Sequence, residues 1–169
     1  MEFHVAPNRI VTWTGPNGTA HRVRCALGRS FIGVKQREGD GVTPRGRWRL
    51  KKVLFRADRL AVPQTVLTCQ SIERNDGWCD DPGDAAYNQP IKLPYRASFE
   101  DLWRDDALYD IVVELGYNDD PVIANKGSAI FLHIAQPGYG DTEGCVALAP
   151  DDLLALLAAC DGDDWLVIG

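Results

Sequence analysis

The feature that most narrows what this chain can fold into is alternation interrupted by turns. In RIVTW-TGPNGT-AHRVRCAL, two runs of alternating apolar and polar residues flank Asn17-Gly18, a pair suited to the positive backbone angles of a tight hairpin. In the second run Val23, Cys25 and Leu27 share one face while Arg22 and Arg24 share the other, the pattern of a half-buried strand. Further strands are expected at Ser30 to Val34, Arg47 to Phe55, Leu108 to Leu115, Ser128 to Ile134 and Trp165 to Ile168, with Gly, Pro, Asn and Asp gathered between them. Their number and spacing predict a mainly β fold, a sandwich or a barrel-like sheet.

Two segments read as helices packed on that sheet. SFEDLWR, from Ser98, offers an N-cap serine with Asp101 three residues on and puts Phe99, Leu102 and Trp103 on one side. PDDLLALLAAC, from Pro150, starts with proline and two acids and carries an apolar stripe of Leu153, Leu156, Leu157 and Cys160. The loop from Asp76 to Arg96 is longer than ordinary connections, so it is either functional or hides an element.

Residues 1–169 are expected to form one domain, because a chain of this length buries enough surface for a self-sufficient core. The net charge is −6 and the 18 Lys and Arg are dispersed, which disfavours nucleic acid as a partner. No apolar run approaches the roughly 18 to 20 residues of a membrane span, and MEFHVAPNRI lacks a basic segment followed by an apolar one, so no export signal is visible. There is no CxxC pair and no Cys/His spacing suited to zinc, so no metal is expected. Nothing calls for a cofactor, and a monomer is expected. Five cysteines leave at least one thiol free; Cys69 and Cys79 flank a polar loop with an Asn75-Asp76-Gly77 turn, and read either as a disulfide pair or as two small buried hydrophobes.

The chemistry concentrates in GSAIFLHIAQPGYGDTEGCVAL, from Gly127 to Leu148. A strand carries His133 forward, a Gly-rich loop reverses the chain, and Cys145 follows twelve positions later. A thiol is a poor nucleophile until it loses its proton, and a neighbouring imidazole takes that proton and later returns it to a leaving amine. Gly144 lets a carbonyl substrate approach the sulfur and leaves the Cys145 N–H for an oxyanion; Thr142 donates a further hydrogen bond or shapes the turn. Against this stands the plainer reading of a core cysteine and a satisfied strand histidine.

The order of landmarks resembles the L,D-transpeptidase catalytic domain, also called the YkuD domain, in its compact proteobacterial branch. KQREGDGVTPRGRWRL, NDGWCDDPGDAAYNQPI, ELGYNDDP and GSAIFLHIA follow in sequence, and TEGCVAL stands where that family carries a Ser/Thr-x-Gly-Cys motif. The resemblance implies a β-sandwich of mixed sheets with two or three short helices. It makes the chain a cysteine acyltransferase, with Cys145 as nucleophile, His133 as general base and acid, and Thr142 and Gly144 completing the motif. By position, Tyr117, Asn118 and the loop from Trp78 to Asn88, with Trp78 and Tyr87 foremost, are expected to line the cleft. The implied partners are peptidoglycan stem peptides, as donor and as acceptor, and the implied compartment is the periplasm, with the cytoplasm left open. Transfer to a diaminopimelate side-chain amine is the leading activity; hydrolysis of stem peptides or lipoprotein links, and a non-catalytic peptidoglycan-binding module, are the alternatives. Many members follow Gly-Cys with His or Arg and a polar residue, whereas Val146-Ala147-Leu148 is apolar here.

Overall fold

The computed structural model describes residues 1–169. In chain order the elements are β1 (Glu2–Ala6), β2 (Ile10–Thr14), β3 (Ala20–Ala26), β4 (Ile32–Gly33), β5 (Thr43–Pro44), β6 (Gly46–Phe55), β7 (Thr68–Ser71), β8 (Asp76–Cys79), β9 (Pro90–Lys92), β10 (Phe99–Asp101), β11 (Ile111–Leu115), β12 (Phe131–Ile134), β13 (Val146–Leu148), α1 (Pro150–Ala159) and β14 (Trp165–Ile168). The expected hairpin is β2–β3, with Thr14 opposite Ala20 and Gly18 at φ 80° in the connecting loop.

Eight strands close on themselves in the order β11-β12-β13-β3-β2-β1-β14-β6, because β6 pairs back onto β11, and β7 extends the sheet from β6. The pairing is mixed: β1–β14, β12–β13 and β6–β7 are parallel. Closure satisfies backbone groups that an open edge would expose. The inside is filled by Phe3, Val5, Leu50, Val113, Leu132 and Leu148 together with Leu153, Leu156 and Leu157 of α1. Each such side chain contributes about 1.5–3 kcal/mol by leaving water. α1 runs as its sequence predicts, Pro150 in its first turn and Asp151 and Asp152 beside the positive end of its dipole.

SFEDLWR is not a helix. Phe99–Asp101 is β10, paired antiparallel with β8, so a cross-strand partner distant in sequence overrides the local cap signal. α1 is therefore the one α-helix. The long loop from Asp76 hides two strands, β8 and β9, which with β10 make a separate three-stranded sheet. That sheet also explains why Cys69 and Cys79 are not bridged: one lies on β7 of the large sheet, the other on β8, and all five thiols are free. Cys69 instead points its sulfur at the Pro63 and Leu67 carbonyls.

Candidate active site

β12 and β13 lie side by side, parallel, with Leu132 opposite Val146 and His133 opposite Ala147. Cys145, the residue before β13, is therefore level with Phe131, whose N–H reaches its Sγ at 3.3 Å. Successive strand residues alternate faces, so Leu132, Ile134, Val146 and Leu148 turn into the barrel core while Phe131, His133 and Cys145 turn outward. Cys145 and His133 thus stand on one face, about 7 Å apart along the strand direction as backbone positions. Both line one cavity of about 710 Å³, whose rim residues Gly39, Asp101, Gln136, Asp141 and Glu143 are exposed. The thiol is 7% and the imidazole 6% exposed. Val146 faces the core, so the apolar residue after Gly-Cys is a packing requirement of β13.

The turn into Cys145 is built by Thr142 and Gly144. The Thr142 hydroxyl donates to the Cys145 carbonyl at 2.7 Å and accepts the Gly144 N–H at 3.2 Å. Thr142 shapes the turn. Gly144 has φ 135°, and a Cβ there would stand 2.8 Å from the Val42 carbonyl and 3.1 Å from Ile130 Cδ1. The glycine is required from the protein side as well as by any approaching substrate. The Cys145 backbone N–H makes no hydrogen bond within the protein, which leaves it available to an oxyanion.

At rest the thiol donates to the Ala129 carbonyl at 3.2 Å. Burial pushes it up to about 12, and the Glu100 charge adds to that, against the Phe131 N–H and the cation of Lys35. Burial also holds His133 down at about 4, against the hydrogen bond to the Ile134 carbonyl. Both groups are neutral at neutral pH. Nδ1 lies 2.8 Å from the Ile134 carbonyl, an atom that only accepts, so Nδ1 carries the proton and Nε2 keeps the lone pair of a base. A main-chain carbonyl holds the place that a carboxylate has in many triads.

The other four expected residues stand outside this cavity. Trp78 is buried, edge-on to Phe131, with its indole N–H on Asn88 Oδ1 at 3.0 Å. Tyr87 donates to Glu38 and accepts the Gly127 N–H; Tyr117 donates to the Lys126 carbonyl; Asn118 ties Ile123 to Gly127. They back the site. Asn88, at the end of the loop expected to line the cleft, instead braces it from behind: it accepts from Trp78 and from the Ala129 N–H and donates to the Tyr117 and Asn118 carbonyls. It holds Ala129 at φ 50°, and with it the carbonyl that accepts the Cys145 thiol's hydrogen bond at rest. Glu100 and Tyr109 are the residues that sequence reading passed over. Tyr109 packs edge-on to His133 at 5.2 Å and donates its hydroxyl to Glu100, and both residues line the cavity. The sequence signal for this neighbourhood is the unusually long loop from Asp76 to Arg96, read as functional or as hiding an element.

The family model of the L,D-transpeptidase catalytic domain, YkuD, matches residues 3–168. No curated protein matches the chain. Among solved structures, Mycobacterium tuberculosis L,D-transpeptidase 1 is 14% identical with a TM-score of 0.46, over 99% of this chain and 60% of that one. LD transpeptidase LdtMt1 in complex with imipenem gives 14% and 0.47, over 99% and 58%. The helical cell shape determining protein Pgp2 from Campylobacter jejuni gives 15% and 0.50, over 99% and 46%, a likeness of fold. The chain spans about half to three fifths of the length of these proteins.

Proposed function

The chain belongs to the L,D-transpeptidase catalytic-domain family, and from that premise we propose that it is a cysteine acyltransferase acting on peptidoglycan stem peptides in the periplasm. Cys145 gives its proton to His133 Nε2 as its sulfur attacks the donor carbonyl carbon. Because thiol and imidazole are both neutral at rest, proton transfer and attack proceed together. The Cys145 N–H receives the developing oxyanion, His133 returns the proton to the leaving amine, and a thioester remains. The side-chain amine of diaminopimelate in a second stem then attacks the thioester carbonyl. The C–N bond forms, the C–S bond breaks, and a cross-link is released.

One observation carries this reading: the parallel register of β12 and β13 puts the only Cys–His pair of the cavity on a single outward face. The test is incubation with purified stem-peptide muropeptides and with imipenem, read by intact mass and by product analysis. An acyl-enzyme of Cys145 and cross-linked dimers are expected. Shortened monomers without dimers would make the protein a hydrolase, and no adduct with either reagent would reduce it to a binding module.

A further inference from the structure

An alkylammonium acceptor must lose two protons to become an amide nitrogen. His133 can take one and hand it to the departing thiolate. The other needs a second acceptor at the site, and the cavity supplies a carboxylate with the right connections. Six carboxylates line the cavity; Asp141 and Glu143 are paired with Arg9 and Arg29, which leaves Glu38, Asp80, Glu100 and Asp101 against one lining guanidinium, Arg104, which Asp106 already binds at 2.9 and 2.6 Å. The field inside favours a cation.

Two carboxylates, the partly buried Asp40 and the buried Asp164, have their oxygens filled by the protein. Asp40 takes Lys35 Nζ and the N–H groups of Gln36, Arg37 and Val42; Asp164 takes those of Asp161 and Gly162. Glu100 differs. Tyr109 donates to Oε1, and Oε2 has no protein partner. Nearby, Asp80 Oδ1 is buried and has no hydrogen-bond partner at all. Asp80 follows β8 and gives its backbone N–H to the Ser98 carbonyl just before β10, which puts it two positions along from the Trp78–Glu100 pair and on the same face of that sheet. No three of the site's acidic and thiol or imidazole groups converge closely enough to hold a metal ion. An ammonium, which needs only one or two acceptors at hydrogen-bond distance, fits them.

We propose that Glu100, oriented by the Tyr109 hydroxyl, binds the attacking ammonium of the acceptor and takes its first proton, with the Asp80 charge behind it adding to the pull on the cation. The assignment rests on the acyl-transfer reading above. The protons balance as follows. The ammonium gives one to the Glu100 carboxylate; the free amine attacks the thioester carbonyl; its second proton passes through His133 to the Cys145 sulfur; the Glu100 proton leaves to water. Burial already pushes the Glu100 carboxyl above its ordinary range, against the Tyr109 hydrogen bond and the Arg104 cation and with the charges of Asp80 and Glu38. A more basic carboxylate is a better proton acceptor.

The test uses the full chain with Glu100→Gln and Glu100→Asp beside the parent. Thioester formation with imipenem and with a donor muropeptide is followed by intact mass, and dimer formation is followed at rising concentrations of a diaminopimelate-containing acceptor. Glu100→Gln removes a negative charge that opposes the thiolate, so its acylation proceeds at least as fast as in the parent. Its dimer formation falls on the order of 10²-fold, acyl-enzyme accumulates, and the acceptor KM rises. Glu100→Asp recovers part of the loss. Dimers at the parental rate in Glu100→Gln, or acylation and dimer formation falling together, would overturn the role, as would a parent that passes its acyl group only to water. A parent that forms no thioester brings down the Cys145 reading first, and this one with it.

Discussion

The two faces of the β12–β13 ribbon hold the same kind of atom in two chemical conditions. On the inner face Cys25 and Cys160 sit in the barrel core among Leu132, Ile134, Val146 and Leu148. On the outer face Cys145 sits beside Phe131 at the cavity. Burial pushes all three thiols up to about 12. Resting acidity therefore does not distinguish Cys145, the proposed nucleophile, from the two core thiols. What separates the faces is company: Cys145 shares its cavity with an imidazole, an unengaged backbone N–H and an unpartnered carboxylate oxygen, while Cys25 is packed in the apolar core and Cys160 gives its thiol to the Leu156 carbonyl, with no imidazole in either case. A dry site of this kind is reactive only once a substrate carbonyl and a proton acceptor arrive together.

The strongest way to break this contrast is to exchange the thiols one at a time. Cys145→Ala abolishes acylation by imipenem, a loss of at least 10³-fold on the order seen for other nucleophile deletions, whereas Cys25→Ala and Cys160→Ala acylate as the parent does. Intact mass after a fixed exposure decides it, and an adduct on Cys145→Ala would refute the contrast outright. Next in size, His133→Gln slows acylation on the order of 10²- to 10⁴-fold without unfolding the chain, measured by stopped mass sampling.

The same substitution has a signature in stability. His133 is held at about 4, below its ordinary 6.5, so the fold binds fewer protons than the unfolded chain between those values. Its contribution is present above pH 6.5 and is lost as the pH falls toward 4, about 3 kcal/mol in all. Urea midpoints at pH 7 and pH 4.5 should converge more closely in His133→Gln than in the parent. An equal slope in both would mean that the ring is not desolvated.

The inner face is sharpened by Leu148→Ala, which leaves a cavity in the core and costs about 2–5 kcal/mol of stability. The variant still acylates at temperatures where it is folded, since its side chain points away from the sulfur. Smallest is Gly144→Ala, at about 1–3 kcal/mol for an L-residue forced to positive φ against the Val42 carbonyl. Here the loss of acylation should exceed what the stability change explains, because the Cys145 N–H moves with the turn. Comparing the two variants by urea titration and by adduct formation separates packing from positioning.

Much of the barrel was legible because alternation and turn chemistry are local. The β2–β3 hairpin, most of β6, β14 and α1 follow from runs of ten or fewer residues whose signals agree. SFEDLWR misled for the same reason: a cap serine and an apolar side suggested a helix, but pairing with β8 is a long-range fact that no local window holds. β8 and β9 hid in a loop rich in turn residues, since their partners are each other and β10.

Taken alone, the sequence determined that His133 and Cys145 would end and begin neighbouring segments joined by a reversing loop, and that Gly144 and Thr142 would shape the turn between them. It also determined that the leucine stripe after Pro150 would cover a core. The tertiary structure decided the rest: which face the pair occupies, that Asn88 and Trp78 hold the site from behind, that Cys69 and Cys79 stay apart, and that Glu100 opens into the cavity. The reason is physical. Side-chain alternation has a period of two, so a slip of one residue between β12 and β13 would send Cys145 into the core, and that register is fixed by the whole closed barrel.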